Sequence, residues 1–303
     1  MFTLKPLTFP EIRTMTGFFK QIEDNEDIRQ GDIIRKLNPD TGEVEKLGVI
    51  ITADCDIAQK KASERYTWLE IVPMTVYIEG PWAQEQLRRL SEKRSNSICE
   101  YLNSQIRKRQ LDLTPLTHDS VVQWLRSKSA EDILKSVTGE NPGLDQKQLR
   151  YLQGFALTVC TDEKQSSFNL LKSAWACFDI NEKNQQESVR DAFKDSGGFQ
   201  DYFVLPELPR QKGVGFVVML RSMWTIMAPE LYLTEQDARI DGYPHAYHRV
   251  GRLNDSIRFS ITQKLAFLFS RIGMPTFFES ACKTAAEFTA EEFFKKNEQE
   301  VHP

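Results

Sequence analysis

Histidine is scarce in this chain. The four residues (His118, His245, His248, His302) in 303 leave little material for imidazole acid–base catalysis or zinc binding. Cysteine is also sparse and scattered: Cys55, Cys99, Cys160, Cys177 and Cys282 are odd in number and show no CxxC spacing. That excludes a disulfide scaffold or a zinc ribbon and fits free thiols in a reducing cytoplasm. No apolar run approaches the roughly 18 residues of a membrane helix. The start, Met1-Phe-Thr-Leu-Lys-Pro-Leu7, lacks the pattern of a signal peptide. The expected location is therefore cytoplasmic, with no membrane partner. Charge of one sign is lacking too. Lys plus Arg number 39 against 43 Asp plus Glu, a net charge of -4, so no global field favours nucleic acid. No internal repeat or low-complexity tract is present.

What remains is ordinary globular material, 40% hydrophobic and 27% charged, enough for one large or two ordinary domains. Thr8, Pro10 and the spacing of Ile12, Met15, Phe18, Phe19 and Ile22 predict a helix over residues 9–23, within an N-terminal segment 1–27. Short β-branched runs then follow: Ile33-Ile34, Val49-Ile50-Ile51 and Trp68 to Val72, with a turn at Asn38 to Gly42. Residues 82–200 switch to helical spacing, and strand character returns at Tyr202 to Leu205 and Gly215 to Leu220. Three strands leave open edges, and closing a small barrel takes about five. The expectation is an α+β fold. A small SH3-like β-barrel (28–80 and 201–227) is interrupted by a helical insertion (81–200). A C-terminal helical region (228–303) follows, with helices over 255–273 and about 284–297.

The densest chemistry lies at Asp54-Cys55-Asp56, read as the end of the strand from Gly48. Flanking carboxylates raise a thiol pKa, and no histidine is near in sequence, so a nucleophilic Cys55 is disfavoured. The aspartates are expected to turn toward backbone N–H groups or cationic side chains rather than hold a metal, with Cys55 buried on the other face. All three are candidate binding residues. Arg88, Arg89, Lys93, Arg94, Arg107, Lys108 and Arg109 form a basic strip, a candidate nucleic-acid surface diluted by Glu85, Glu92 and Glu100. His245 and His248, with Asp241 nearby, are read as lying in a loop after Gly242 and Pro244, with no cysteine or carboxylate following at metal-ligand spacing. Neither a cofactor nor a metal is expected.

Gly31-Asp-Ile-Ile34, Gly48-Val-Ile-Ile-Thr52 and Ile71-Val-Pro-Met-Thr75 together resemble the MazF/PemK-type toxin barrel over residues 31–75. The resemblance implies an endoribonuclease with Lys46 and Thr75 at the catalytic positions. Lys46-Leu47 stands where that family carries arginine-proline. Gly48 to Ala58 and Phe269-Ser-Arg-Ile-Gly-Met-Pro275 also resemble uncharacterised bacterial defence-associated proteins with a DCDIA motif. Three functions are therefore in view: a non-enzymatic binding or scaffold subunit of a conflict or phage-defence system, whose partner is another protein of that system; a toxin-like ribonuclease; and a nucleic-acid-binding regulator.

Overall fold

The computed structural model describes residues 17–38, 40–61, 64–139, 145–159, 165–194, 200–211, 213, 215–241, 246–270 and 276–299. It divides into two compact units, Met1–Arg258 and Phe259–Pro303. Cys160, His245, Arg271 and His302 lie outside the described residues, as does most of the helix expected over 9–23.

The first unit is a mixed α+β body around one curled, largely antiparallel sheet. In chain order its strands begin with β1 (Phe19–Lys20), β2 (Asp32–Leu37), β3 (Val44–Ile50) and β4 (Arg65–Pro73). A short helix, α1 (Asp54–Ala58), separates β3 from β4. After β4 come α2 (Met74–Tyr77), a π turn at Ile78–Trp82, and α3 (Ala83–Lys108). Next are α4 (His118–Ser127), α5 (Ala130–Thr138), α6 (Gln146–Val159), α7 (Ser167–Cys177) and α8 (Glu182–Arg190). The sheet resumes with β5 (Tyr202–Leu205), β6 (Phe216–Met227) and β7 (Leu231–Tyr232). Then α9 (Glu235–Asp241) and β8 (Tyr247–Leu253) precede α10 (Asp255–Phe269), which crosses the boundary between units. The spatial order is β1-β8-β2-β3-β4-β6-β5, with β7 on β8.

The strand near 216–220 thus shares the sheet of β2, β3 and β4, as strand counting anticipates: Ile71, Val72 and Pro73 pair with Val218, Val217 and Phe216. Two readings are corrected. The described part of the expected N-terminal helix is not helical. Phe19 and Lys20 are a strand paired with Leu253 and Arg252. The region 228–303, read as helical, contributes β8, which lies between β1 and β2. Its polar letters conceal it: His248, Arg249 and Arg252 are all buried, so the strand lacks the apolar alternation that marks one.

The helices between β4 and β5 form on local signals. Thr117 and Ser120 make a capping box for α4, while Ser129, Ser166 and Asn181 cap α5, α7 and α8. Along α3 the buried positions Leu87, Leu90, Ile98, Leu102 and Ile106 recur at helical spacing. They join Phe155, Leu171 and Trp175 in one core that reaches Tyr202 and Val217 of the sheet. A second, smaller core fills the hollow of the sheet: Ile28, Ile34, Ile50, Trp68, Ile226 and Leu231, with Tyr66 and Tyr247 beside it.

In the second unit, α11 (Thr276–Gln299) runs longer than the helix expected over 284–297, and α10 ends at Phe269 rather than 273. No described helix is long and apolar enough to cross a membrane.

Candidate functional site

Three polar clusters and one aromatic cleft hold the chemistry of the sheet. The first cluster is a buried ion network. Asp32, fully buried at 0% exposure, accepts from Arg252 Nε at 2.5 Å and Nη2 at 3.2 Å, and from the Arg29 N–H at 2.9 Å. Arg252 also donates to Glu26 Oε2 and the Asp27 carbonyl, each at 2.7 Å. Arg249 donates to the Glu26 carbonyl at 2.6 Å and the Glu23 carbonyl at 3.0 Å. Burial pushes the Asp32 carboxyl above its ordinary value, against the pull of the Arg252 guanidinium. These groups pin the 23–29 segment onto β2 and β8. The aspartate of the Gly31-Asp32 motif is thus spent on the fold.

The second cluster replaces the expected strand end at Asp54-Cys55-Asp56. These residues open α1, with Asp54 and Asp56 in its first turn. Asp54 accepts from the Gln30 N–H at 2.8 Å and from Arg258 Nη1 at 2.5 Å. The expectation that the carboxylates turn to backbone donors and cations therefore holds for Asp54. Gly31 makes the clasp possible: at φ +91°, a Cβ there would lie 3.0 Å from Arg258 Cδ, so a side chain would push the arginine off its path to Asp54. Cys55 is a correction. It is exposed rather than buried, because a helical turn does not alternate faces as a strand does. Its Sγ lies 3.6 Å from Asp56 Oδ1. The described histidines are committed elsewhere: His118 Nδ1 is 2.8 Å from Ser95 Oγ, and His248 accepts from Arg35 Nε at 3.2 Å. Among the described residues no cluster of three metal-ligating side chains occurs.

The third cluster surrounds His248, which lies in β8 rather than in a loop. Arg35 also donates to Glu235 Oε2 at 2.7 Å, and that carboxylate is 3.8 Å from His248 Nε2. Burial first and the Arg35 guanidinium second push the imidazole down to about 4. A neutral ring is what the geometry demands, since its Nε2 needs a lone pair to accept from Arg35.

The basic strip is ion-paired at its first two members, Arg88 and Arg89. Arg88 bonds Glu85 and Glu92, and Arg89 bonds Glu85, whose carboxyl the Arg88 hydrogen bonds hold at about 2. Arg94 lies over Phe178 at 5.0 Å and Tyr151 at 5.9 Å. Arg109 donates to the Ser136 carbonyl at 3.4 Å. Lys93, Arg107 and Lys108 are exposed, the last two in the final turn of α3, where the helix dipole favours cations. Of the two ribonuclease candidates, Thr75 sits in the first turn of α2 and Lys46 on β3, and no hydrogen bond joins them among the described residues.

Lys46 instead leads to the cleft that sequence reasoning missed. Its Nζ lies 4.2 Å from the centre of the Trp224 ring. Trp224 stacks on Trp68 at 6.2 Å and 23°, and Tyr247 tilts against Trp68 at 5.6 Å. Trp68 can press on β3 because residue 48 is glycine: a Cβ there would meet Trp68 Cε3 at 2.1 Å. Between the pairs Leu69–Met223 and Ile71–Val218 the ladder shifts, so Glu70 faces the extra residues of a bulge in β6. There Trp224 Nε1 donates to Ser222 Oγ at 3.0 Å, and Ser222 Oγ donates to Glu70 Oε2 at 2.6 Å. This chain fixes the ring while leaving it 45% exposed; Met223 and Met227, also exposed, alternate onto the other face of the sheet. The signal was present as Trp68 and Trp224, but only the register of β4 and β6 makes them partners.

No family model matches the chain, and no match was found among curated proteins or among solved structures.

Proposed function

We propose that the chain is a non-enzymatic binding subunit of a bacterial defence system, built on an SH3-like barrel that carries the α2–α8 helices as an insertion. The observation that carries this reading is the division of labour among its polar groups. Asp32 is bonded by Arg252, Asp54 by Arg258 and His248 by Arg35, and Arg249 is held by the Glu26 and Glu23 carbonyls, all within the fold. The aromatic cleft, by contrast, leaves a large, orientationally fixed indole open to solvent. A large aromatic ring held in one orientation and left open to solvent is the anatomy of a contact surface rather than of a reaction centre. The defence setting comes from the resemblance carried by Gly48 to Ala58 and by the 269–275 segment.

The ribonuclease alternative asks Lys46 to stabilise a phosphorane, while the lysine here lies on Trp224. Incubating the purified chain at high concentration with total cellular RNA decides between them. Intact RNA is expected, together with co-elution of the chain with the product of a neighbouring gene. RNA cleavage that disappears in Lys46→Ala overturns the binding-subunit reading.

A further inference from the structure

The aromatic cleft has two properties that together specify an occupant. The first is charge. An indole face attracts cations through its quadrupole, and this face already holds one, Lys46 Nζ at 4.2 Å. Carboxylates lie close to the aromatic rings: Glu70 reaches Trp224 through Ser222, and three of them act on Tyr247, which packs on Trp68. Glu45, Glu230 and Glu70 all add to the burial that pushes Tyr247 up to about 12. Glu45 is paired with Lys36 at 3.0 Å. Glu70 accepts from the Ser222 hydroxyl, and Glu230 accepts from the Met227 N–H at 3.1 Å. Among the described residues neither Glu70 nor Glu230 has an ion-pair partner.

The second property is a free strand edge. β5 pairs only with Phe216–Met219 of the twelve-residue β6. Among the described residues no strand covers the outer edge of Ser222–Met227, where Trp224 lies. The Met227 N–H on this edge is taken by Glu230; the unpaired N–H and C=O groups before it accept an added strand, whose side chains alternate between the two faces of the sheet.

We infer that the cleft receives an extended segment of a partner protein, added along the Ser222–Met227 edge, which places an arginine or lysine side chain on Trp224 beside Glu70. In the free chain Lys46 occupies the receptor, and the partner's cation displaces it. This reading rests on the binding-subunit proposal and names the chemistry of its partner.

The test follows the indole Nε1–H resonance of Trp224 in a ¹⁵N-labelled chain, assigned by its loss in Trp224→Phe. Three probes are titrated at constant ionic strength: acetyl-Thr-Val-Arg-Val-Thr-amide, the same peptide with glutamate replacing arginine, and a thymidine decanucleotide. The arginine peptide is expected to move the Trp224 indole and the backbone amides of 222–227, and the glutamate peptide to leave them in place. Removing the internal competitor in Lys46→Ala is expected to tighten the arginine peptide about two- to five-fold, the strength of an exposed cation–π contact. A still Trp224 resonance, equal response to both peptides, weaker binding by Lys46→Ala, or response to the oligonucleotide alone overturns the inference. RNA turnover would sink the binding-subunit reading, whereas a silent Trp224 sinks only this one.

Discussion

Protonating His248 should destabilise the first unit from within. The side chain is 2% exposed, and its Nε2 accepts from Arg35 Nε at 3.2 Å. A proton there removes the acceptor and sets two cations side by side, with Glu235 at 3.8 Å as partial compensation. The folded imidazole titrates at about 4 against an ordinary value of 6.5. Because the folded value is depressed, the unfolded chain binds the proton first as pH falls. The neutral ring's contribution is therefore complete above about pH 6.5 and is lost between there and pH 4. The gap corresponds to about 3 kcal/mol, of which some 2–3 kcal/mol should be gone by pH 4.5. Urea melts of the wild type and His248→Gln at pH 7, 6, 5 and 4.5 read this directly. Glutamine keeps an acceptor for Arg35 but does not titrate. The wild type should lose about 2–3 kcal/mol more than the variant over this range. Parallel stability curves would refute the reasoning.

Other perturbations probe the remaining clusters. Asp32→Asn leaves Arg252 and Arg249 buried without their shared carboxylate, which should cost about 3–5 kcal/mol. That loss should lower the melting temperature by roughly 6–20 °C in a calorimetric scan; a shift under 2 °C would show that the backbone carbonyls suffice. Gly48→Ala drives a methyl into Trp68 and should cost about 1–3 kcal/mol by overpacking, read as a lower urea midpoint and a changed Trp emission spectrum. Asp54→Ala frees the Gln30 N–H and Arg258 and should cost about 1–3 kcal/mol, whereas Cys55→Ala, at an exposed position, should stay within about 0.5 kcal/mol in the same melts.

Much of the first unit is legible in the chain's letters, and the exceptions share a physical cause. The α3 and α7 helices show because their buried faces are apolar at helical spacing. β2, β3, β4 and β6 show because their runs are β-branched. β8 does not, since beside Val250 and Leu253 it buries two arginines and a histidine, and the partners of Arg252 and His248 lie more than 200 positions away, at Glu26, Asp32 and Arg35. The Asp54-Cys55-Asp56 turn was legible as chemistry but not as helix: its defining bond goes to Arg258, 204 residues on. The aromatic cleft depends on register in the same way. Trp68 and Trp224 are unremarkable singly and become a site only when β4 and β6 align them.

Phage plating on cells carrying the gene with its neighbours, compared with the same cells carrying Trp224→Ala, tests the central claim most directly. The indole is 45% exposed, so the variant should melt within a few degrees of the wild type. The account predicts protection by the wild type and its loss in Trp224→Ala. Protection undiminished by the substitution, in a chain of unchanged stability, would contradict it.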